Sequence, residues 1–381
     1  MPRHLTYLLG THPCVSETFI QREIDALRRC GWLIDVVSLH GNSALPRHAA
    51  NASLAAATLR HALPLIFRLP RLPLQLLRLL PQTTALAQRL QSTQTPGIHA
   101  HFAHLPADIA LLAARHAGVR FTCSVHAWDV FAQPAAAIRH RLQPAAAVCA
   151  CSQAAVDAVV AAGVEARRVH MIRHGLPLAE YTFSPATGNR RILAVGRLEP
   201  KKGFDLLIAA CAQLRSVPFS CQIVGEGSQR RPLEQLIARH DLTDIVSLPG
   251  AATPDEVRAA MRAADVLVLP SRRLASGDCD GVANVLIEAM ALGIPVVTTA
   301  AGAAGEVVRD GINGRLVPPE NAAALATAIR ALLDNPAICA SLTRAARATV
   351  EADFNEERTI TQMEDIFPRP AGRRLTYCGA S

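Results

Sequence analysis

One stretch limits what this chain can fold into more than any other, and it runs from Val266 to Thr298. It begins with the apolar run Val266-Leu267-Val268-Leu269-Pro270 and closes with a second, Ile294-Pro295-Val296-Val297-Thr298. Between them lies a loop with two acids and two glycines, Gly277-Asp278-Cys279-Asp280-Gly281, which opens into a helical sequence ending at Gly293. Strand, loop, helix and strand in this order predict a unit of a parallel sheet, whose ligand side is the C-terminal end of the strands. The loop falls at that end. A helix N-terminus there offers unpaired N–H groups and the positive end of a dipole, which suits a diphosphate. Asp280 precedes the helix, and with a start near Ala283 the carboxylate of Glu288 lies about 7.5 Å further along the axis. That is the span from a sugar, across two phosphates, to a ribose. The stretch reads as a sugar-nucleotide site, and equally well as a buried crossover with solvated acids at its mouth.

The chain has 381 residues, enough for two domains. Half of them are hydrophobic and 18% are charged, so a large core can form. Strand and helix patterns alternate through both halves, which points to an α/β fold. The net charge is +8, but the basic residues are scattered and aromatics are only 4%, so a stacking platform for nucleic acid is excluded. An attraction to phosphorylated ligands or an anionic membrane surface fits this balance better. Arginine carries nearly all the positive charge, and the sole lysines, Lys201 and Lys202, stand together beside Gly203. The ten cysteines show neither a disulfide framework nor zinc spacing and read as buried thiols in a reducing compartment. Leu5 to Leu9 is too short for a signal peptide, and no uncharged run is long enough to span a bilayer. A cytoplasmic protein is expected, with the inner face of the membrane as a peripheral site.

In chain order, His4 to Leu9 reads as the first strand, and Phe19 to Leu27 has helical spacing. The loop between them holds Ser16 and Glu17, either a plain helix cap or a binding edge on the acceptor side. Residues 62–80 are apolar, basic and broken by prolines, so they cannot form one straight helix. Short helices with Arg68, Arg71 and Arg78 beside an apolar face could lie on a membrane or pack on the sheet. Phe121 to Val125 is a strand that ends in His126-Ala127-Trp128-Asp129, placing His126 at a ligand edge or as a satisfied structural histidine. Strands at Val148 to Cys151 and Val169 to Ile172 complete a first Rossmann-like half over 1–180. The segment Leu176 to Gly188 is the linker.

The second half, 188–350, restarts with a strand ending at Arg197, and Lys202 follows at the start of a helix. Two fixed cations on solvent-facing loops at the edge that carries Asp280 are what a diphosphate needs. Gly225-x-Gly227 marks a further strand end where a flat base could approach. The amphipathic segment 354–367 is a terminal helix, stopped by Pro368 and Pro370.

Taken together, these motifs resemble the retaining nucleotide-sugar glycosyltransferases of glycosyltransferase family 4. They are Ser16-Glu17-Thr18-Phe19, His126-Ala127-Trp128-Asp129, Gly196-Arg197-Leu198 with Lys202-Gly203, Val224-Gly225-Glu226-Gly227, Ala264-Asp265-Val266 to Pro270-Ser271, and Asp280 with Glu288. The first is most similar to the branch that builds exopolysaccharide and colanic-acid-type polymers. The resemblance implies the GT-B fold: two Rossmann-like domains facing across a cleft, acceptor in the first and donor in the second, with helix 354–367 crossing back to the first. It implies that Arg197 and Lys202 hold the donor diphosphate and that Glu288 accepts from the ribose hydroxyls. Asp280 would contact the transferred sugar, where the family more often has Glu. Backbone N–H groups of Gly281, Val282, Ala283, Asn284 and Val285 would meet the phosphates or the sugar, and His126 would reach the sugar from the other domain. The implied substrates are a UDP-sugar or GDP-sugar donor and a glycan or lipid-linked acceptor, with no cofactor and no metal. Asp278-Cys279-Asp280 spells the Asp-x-Asp of the metal-dependent transferases, but Arg197, Lys202 and a helix N-terminus already supply the positive charge. The competing reading is a non-catalytic sugar-nucleotide-binding subunit of a polysaccharide assembly.

Overall fold

A computed structural model of the chain describes residues 3–14, 17–45, 73–184 and 188–368, with Ala56 and Arg60; for 73–79 it describes the backbone alone. The fold is two six-stranded sheets. The first is built from β1 (Arg3–His12), β2 (Trp32–Gly41), β3 (Gly97–His101), β4 (Arg120–Val125), β5 (Ala147–Ala150) and β6 (Val169–Met171), in the order β2-β1-β3-β4-β5-β6. The second holds β7 (Arg191–Val195), β8 (Ser220–Val224), β9 (Val246–Gly250), β10 (Val266–Leu269), β11 (Val296–Thr299) and β12 (Arg315–Val317), in the order β12-β11-β10-β7-β8-β9. Every ladder within them is parallel. The chain therefore leaves each sheet and returns on the other side of its first strand once, between β1 and β3 and between β7 and β10. Crevices at such reversals, beyond the C-terminal strand ends, are where open α/β sheets bind ligands.

Alternation along β1 shows how the first sheet is packed. Leu5, Tyr7 and Leu9 point to one core, with Ile20, Ile24 and Leu27 of α1 (Thr18–Arg29), while Leu8 points to the other. The first core is completed from the far end of the chain. The last helix, Glu356–Ile366, inserts Ile360, Met363 and Ile366 beneath β1, with Phe367 behind them. Its arrival is fixed by Leu176 N–H donating to Phe354 O at 2.7 Å, by Arg29 paired with Glu356 at 2.6 Å, and by Trp32 Nε1 donating to Glu364 at 2.9 Å. This is the GT-B architecture, with the terminal helix returned to the first domain. The predicted strands and helices are present with bounds moved by a few residues: β1 is longer, its register with β2 running from Arg3 to His12, while β6 and the last helix are shorter.

Helix α2 (Pro73–Ser92) carries Pro81 within it and buries Leu86, Ala87 and Leu90 in the second core of the first domain. These packed residues lie beyond the stretch 62–80 in which a membrane-facing run was expected; of that stretch, 62–72 and the side chains of 73–79 lie outside the described residues. Among the described residues no single helix is long and apolar enough to cross a membrane.

Candidate functional site

The site is built at the reversal between β7 and β10. Strand β7 runs into the loop Gly196–Gly203, and β10 into the long loop 270–283. A short 3-10 turn, Pro200–Lys202, is reversed at once into α3 (Phe204–Gln213) by Gly203, whose φ is +66°. A Cβ on Gly203 would sit 2.0 Å from the carbonyl oxygen of Pro270, so only glycine lets the two loops touch. That contact brings the lysines against the acids. Lys202 Nζ lies 2.8 Å from Asp280 Oδ2, and Ser271 Oγ donates to the same oxygen at 2.6 Å. Lys201 Nζ lies 3.0 Å from Asp278 Oδ1. Burial pushes the Asp280 carboxyl up, but the Lys202 charge and hydrogen bond, with Ser271, outweigh it and hold it below the usual range. Asp280 is a carboxylate at neutral pH.

Of the two expected cations only Arg197 is exposed. Among the described residues its side chain forms no hydrogen bond or ion pair, while its backbone carbonyl accepts from Glu199 N–H at 2.7 Å. Lys202 corrects the expectation of a solvent-facing loop, because its side chain is 13% exposed and neutralised by Asp280. Gly225 stands directly after β8, as predicted, but its open face is filled by the chain itself: a Cβ there would meet Gly196 O at 1.9 Å.

Helix α4 (Asn284–Leu292) starts beside these groups. Its N-cap, Ala283, supplies no side-chain bond, and no acid occupies its first turn. Ala283 and Val285 pack against the second-domain core. Gly281 abuts Ala127, whose Cβ would be 3.5 Å from a Cβ at Gly281, and the backbone of Val282 hydrogen-bonds the Cys151 thiol. The loop that carries Asp280 is thereby pressed against the residue that follows His126. Asn284 Oδ1 is 3.2 Å from His174 Nδ1.

Glu288 lies one turn into α4, and it already has a partner across the cleft. Arg22 Nη1 donates to Glu288 Oε1 at 2.8 Å and to Tyr181 Oη at 3.0 Å. Among the described residues, Arg22 Nε and Nη2 are buried and find no hydrogen-bond partner. On the first-domain side, Glu17 precedes α1, and burial raises its carboxyl against the opposing pull of His101 and of Arg197 from the second domain. Ser16 lies outside the described residues.

His126 caps a short helix (Ala127–Phe131), with its backbone N–H held by Asp129 Oδ2 at 2.9 Å. Its ring stands among Phe19, Phe102, His101 and His174. Burial, reinforced by the surrounding histidines, drives its basicity far below the ordinary value, so it stays neutral. His174 is lowered to about 4 by burial, and Asp129 is raised to about 6 for the same reason.

Six groups were given no role from the sequence: Arg22, Glu23, His101, His174, Lys201 and Ser271. Ser271, which follows β10 after Pro270 at the same edge as Asp280, closes one of the motifs read from the sequence but was given no role there. Lys201 was marked as one of the two lysines beside Gly203, without a role; the remaining groups are brought in by tertiary contacts that no local pattern marks. As for metal, both acids of Asp278-Cys279-Asp280 are held by lysines. Among the described residues the one group of three convergent metal-type ligands is Glu23, His99 and His101, and both ring nitrogens of His99 are already bonded to Thr122 and Ser124 hydroxyls at 2.8 and 3.0 Å.

Comparison with known proteins bears on the family and the fold. Residues 16–180 match the family model described as Glycosyltransferase Family 4, and residues 183–349 that described as Glycosyl transferases group 1. The chain is 37% identical over 202 residues to WcaL of Escherichia coli strain K12, named for colanic acid biosynthesis, covering 51% of this chain and 50% of WcaL. It is 33% identical over 218 residues to the amylovoran biosynthesis glycosyltransferase AmsK of Erwinia amylovora, covering 56% and 54%. The chain thus spans about half the length of the curated relatives it matches. Among solved structures, Anabaena HepE in complex with UDP superposes with a TM-score of 0.75 at 21% identity over 95% of this chain and 98% of that one. A sucrose-phosphate synthase from Thermosynechococcus elongatus superposes with 0.74 at 24% identity over 96% and 98%.

Proposed function

We propose that this chain, which belongs to glycosyltransferase family 4, moves a sugar from a nucleoside-diphosphate sugar to a hydroxyl of a glycan or lipid-linked acceptor, with retention at the anomeric carbon. The observation that carries the reading is the convergence at the β7–β10 reversal. There Asp280 is held by Lys202 and Ser271, Arg197 stands exposed, and α4 begins with no acid in its first turn. The cations and the helix end suit the two phosphates, and Asp280 suits sugar hydroxyls. As the donor bond breaks, the electron pair of the C1–O bond goes to the diphosphate. The acceptor oxygen forms its bond to C1 on the same face, and its proton passes to a leaving-group phosphate oxygen. Arg197, Lys202 and the start of α4 stabilise the charge that grows on that group. No metal and no cofactor is needed for these steps.

The likeness to WcaL and AmsK supports a role in building a bacterial exopolysaccharide or cell-surface polysaccharide. On this reading the protein works in the cytoplasm, peripherally at the inner face of the membrane. The test is thermal shift of the purified chain with UDP, GDP and their sugars. A ligand at 100 times its dissociation constant stabilises by about 2.7 kcal/mol, so the correct nucleotide raises the melting temperature. HepE is described with UDP and with UDP-glucose, which makes the uridine series the first to try. If none of these ligands shifts the melt, the reading is wrong. Binding with no turnover on any acceptor or water would leave the non-catalytic sugar-nucleotide subunit.

A further inference from the structure

The first sheet also reverses, between β1 and β3, and the crevice beyond that reversal is lined with rings. Phe19 follows β1 at the start of α1, Phe102 and His104 follow β3, and His126 and Trp128 follow β4. Ring centroids lie 5.2 Å apart for Phe19 and His126, 4.5 Å for Phe102 and His126, 5.6 Å for Phe102 and His104, and 5.5 Å for His104 and Trp128. The array is continuous from α1 to Trp128. Behind it the buried His101 lies 3.3 Å from His126 and 3.1 Å from Glu23.

Trp128 is the member that stands out of the fold. It is 45% exposed, whereas Asp129 and Val130 beside it are buried. Two constraints hold it there. The Asp129 carboxylate accepts from the His126 N–H at 2.9 Å and from the Ala103 N–H, which ties the loop after β3 to the helix Ala127–Phe131. Phe102 holds a φ of +75°, uncommon for a bulky residue and kept only where the surroundings impose it. That turn brings the His104 ring against the indole at an interplanar angle of 85°. The second domain's loop 270–283 touches both ends of the same short helix. Gly281 abuts Ala127, a Cβ on Gly277 would meet Phe131 O at 2.3 Å, and the Arg273 guanidinium lies 5.3 Å over the Phe131 ring. Trp128 is about 100° round the helix from Ala127, so it borders the cleft without being covered.

A large apolar face beside a neutral polar ring fits a narrow class of ligand. Burial lowers His104 to about 4, with Arg141 adding, so its ring is uncharged and offers one donor and one acceptor. Among the described residues neither its ring nitrogens nor Trp128 Nε1 has a hydrogen-bond partner. A pyranose has the matching surface: C–H groups on one face, drawn to the negative face of an aromatic ring, and hydroxyls round the rim. A lipid chain would leave His104 unsatisfied, and a phosphate would find no cation among these rings.

We propose that Trp128 and His104 form an acceptor subsite for a saccharide: a pyranose ring of the acceptor stacks on the indole, and His104 holds one of its hydroxyls. The proposal rests on the glycosyltransferase reading above and narrows its acceptor to one recognised through a sugar ring.

The experiment uses the fact that the chain has two tryptophans and that the other, Trp32, is 4% exposed. Emission that acrylamide quenches therefore comes from Trp128, and Trp128→Phe should lack it. Methyl glycosides of glucose, galactose, mannose and fucose are titrated into the full chain. At least one should protect Trp128 from acrylamide, and the protection should saturate. Saturation-transfer NMR then follows that glycoside on two variants. Trp128→Ala should weaken its binding about tenfold, the worth of one aromatic contact. His104→Phe keeps a ring against the indole but loses the hydrogen bonds, and should weaken it severalfold. UDP affinity by calorimetry should be the same in both variants as in the wild type. The proposal is overturned if no glycoside protects Trp128, or if Trp128→Ala binds the glycoside as the wild type does. Protection by phosphatidylglycerol–phosphatidylcholine vesicles, and by no glycoside, would overturn it in favour of a membrane contact. If the wild type binds neither UDP nor a UDP-sugar, the nucleotide-sugar reading fails while the glycoside result stands or falls by itself.

Discussion

Removing Lys202 and removing Arg197 should damage this protein in different ways. Lys202 and Asp280 are 13% and 12% exposed and lie 2.8 Å apart. Lys202→Ala leaves the Asp280 carboxylate enclosed, with only the Ser271 hydroxyl to satisfy it. Breaking one side of such a pair costs about 3–5 kcal/mol, because the remaining charge stays buried. The second domain should therefore melt early, and Asp280 should be driven toward its protonated form. Lys202→Ala with Asp280→Ala removes both charges and should regain most of that stability, yet remain inactive. Arg197→Ala should change stability by no more than about 0.5 kcal/mol, since the side chain is exposed and unbonded. It should still reduce turnover by about 10²–10³, the usual effect of deleting one group that stabilises transition-state charge. Thermal and urea melts of the three variants, set beside donor turnover, separate the two behaviours. Wild-type melting of Lys202→Ala would mean that the pair carries no buried charge, and wild-type turnover of Arg197→Ala would refute the phosphate clamp.

Three further outcomes are expected. Glu288→Gln should weaken UDP binding, whereas Arg22→Ala should strengthen it several-fold by freeing Glu288 for the ribose; calorimetry showing equal weakening in both would make Arg22 a nucleotide contact. Burial lowers His99 to about 3, with His101 adding to the shift; burial lowers His104 to about 4, with Arg141 adding; burial lowers His174 to about 4. Their folded values lie below the unfolded value of about 6.5, so the unfolded chain binds more protons and stability falls as pH drops from 6.5 toward 4; a melting temperature flat between pH 7 and 5 would refute this. Activity should survive EDTA, and Asp278→Ala should be tolerated better than Asp280→Ala, because Asp278 meets only Lys201 while Asp280 gathers Lys202 and Ser271; loss in EDTA with rescue by manganese would overturn it.

What could be seen in the sequence was what the sheets dictate locally. Runs such as Val266 to Leu269 announce parallel strands, and the residues just after them land at the ligand edge by topology alone. Arg197, Lys202, Asp280 and His126 were legible for that reason. The pairing of those residues was not. That Lys202 faces Asp280 depends on Gly203 touching Pro270, a contact across 67 residues of chain with no periodic trace. Glu288 was read as a ribose acceptor from its offset, but Arg22 belongs to a different domain and sits on a helix that looks like an ordinary amphipathic one. His101 reads as one more residue of a buried strand. Only the folded sheet shows that its ring joins Glu23 to His126.

The two domains also divide the available anion sites between them. Two of the helix starts on the ligand side differ in how their N–H groups are served, that of α4 in the second domain and that of the helix Gln153–Ala161 in the first. Both present N–H groups that favour negative charge. The first is already served, because Glu306 of the second domain accepts from the backbone N–H of Gln153 at 2.7 Å and of Ala154 at 2.8 Å. Its N-cap Ser152 takes Ala155 N–H at 3.2 Å as well. Helix α4 has no such carboxylate and no side-chain cap. A diphosphate arriving between the domains would have to displace a bidentate internal carboxylate at one helix, and nothing of that kind at the other. The preference for α4, and with it for the side that holds Arg197 and Lys202, follows from this difference in occupancy. By covering the rival helix start, Glu306 also ties the domains together.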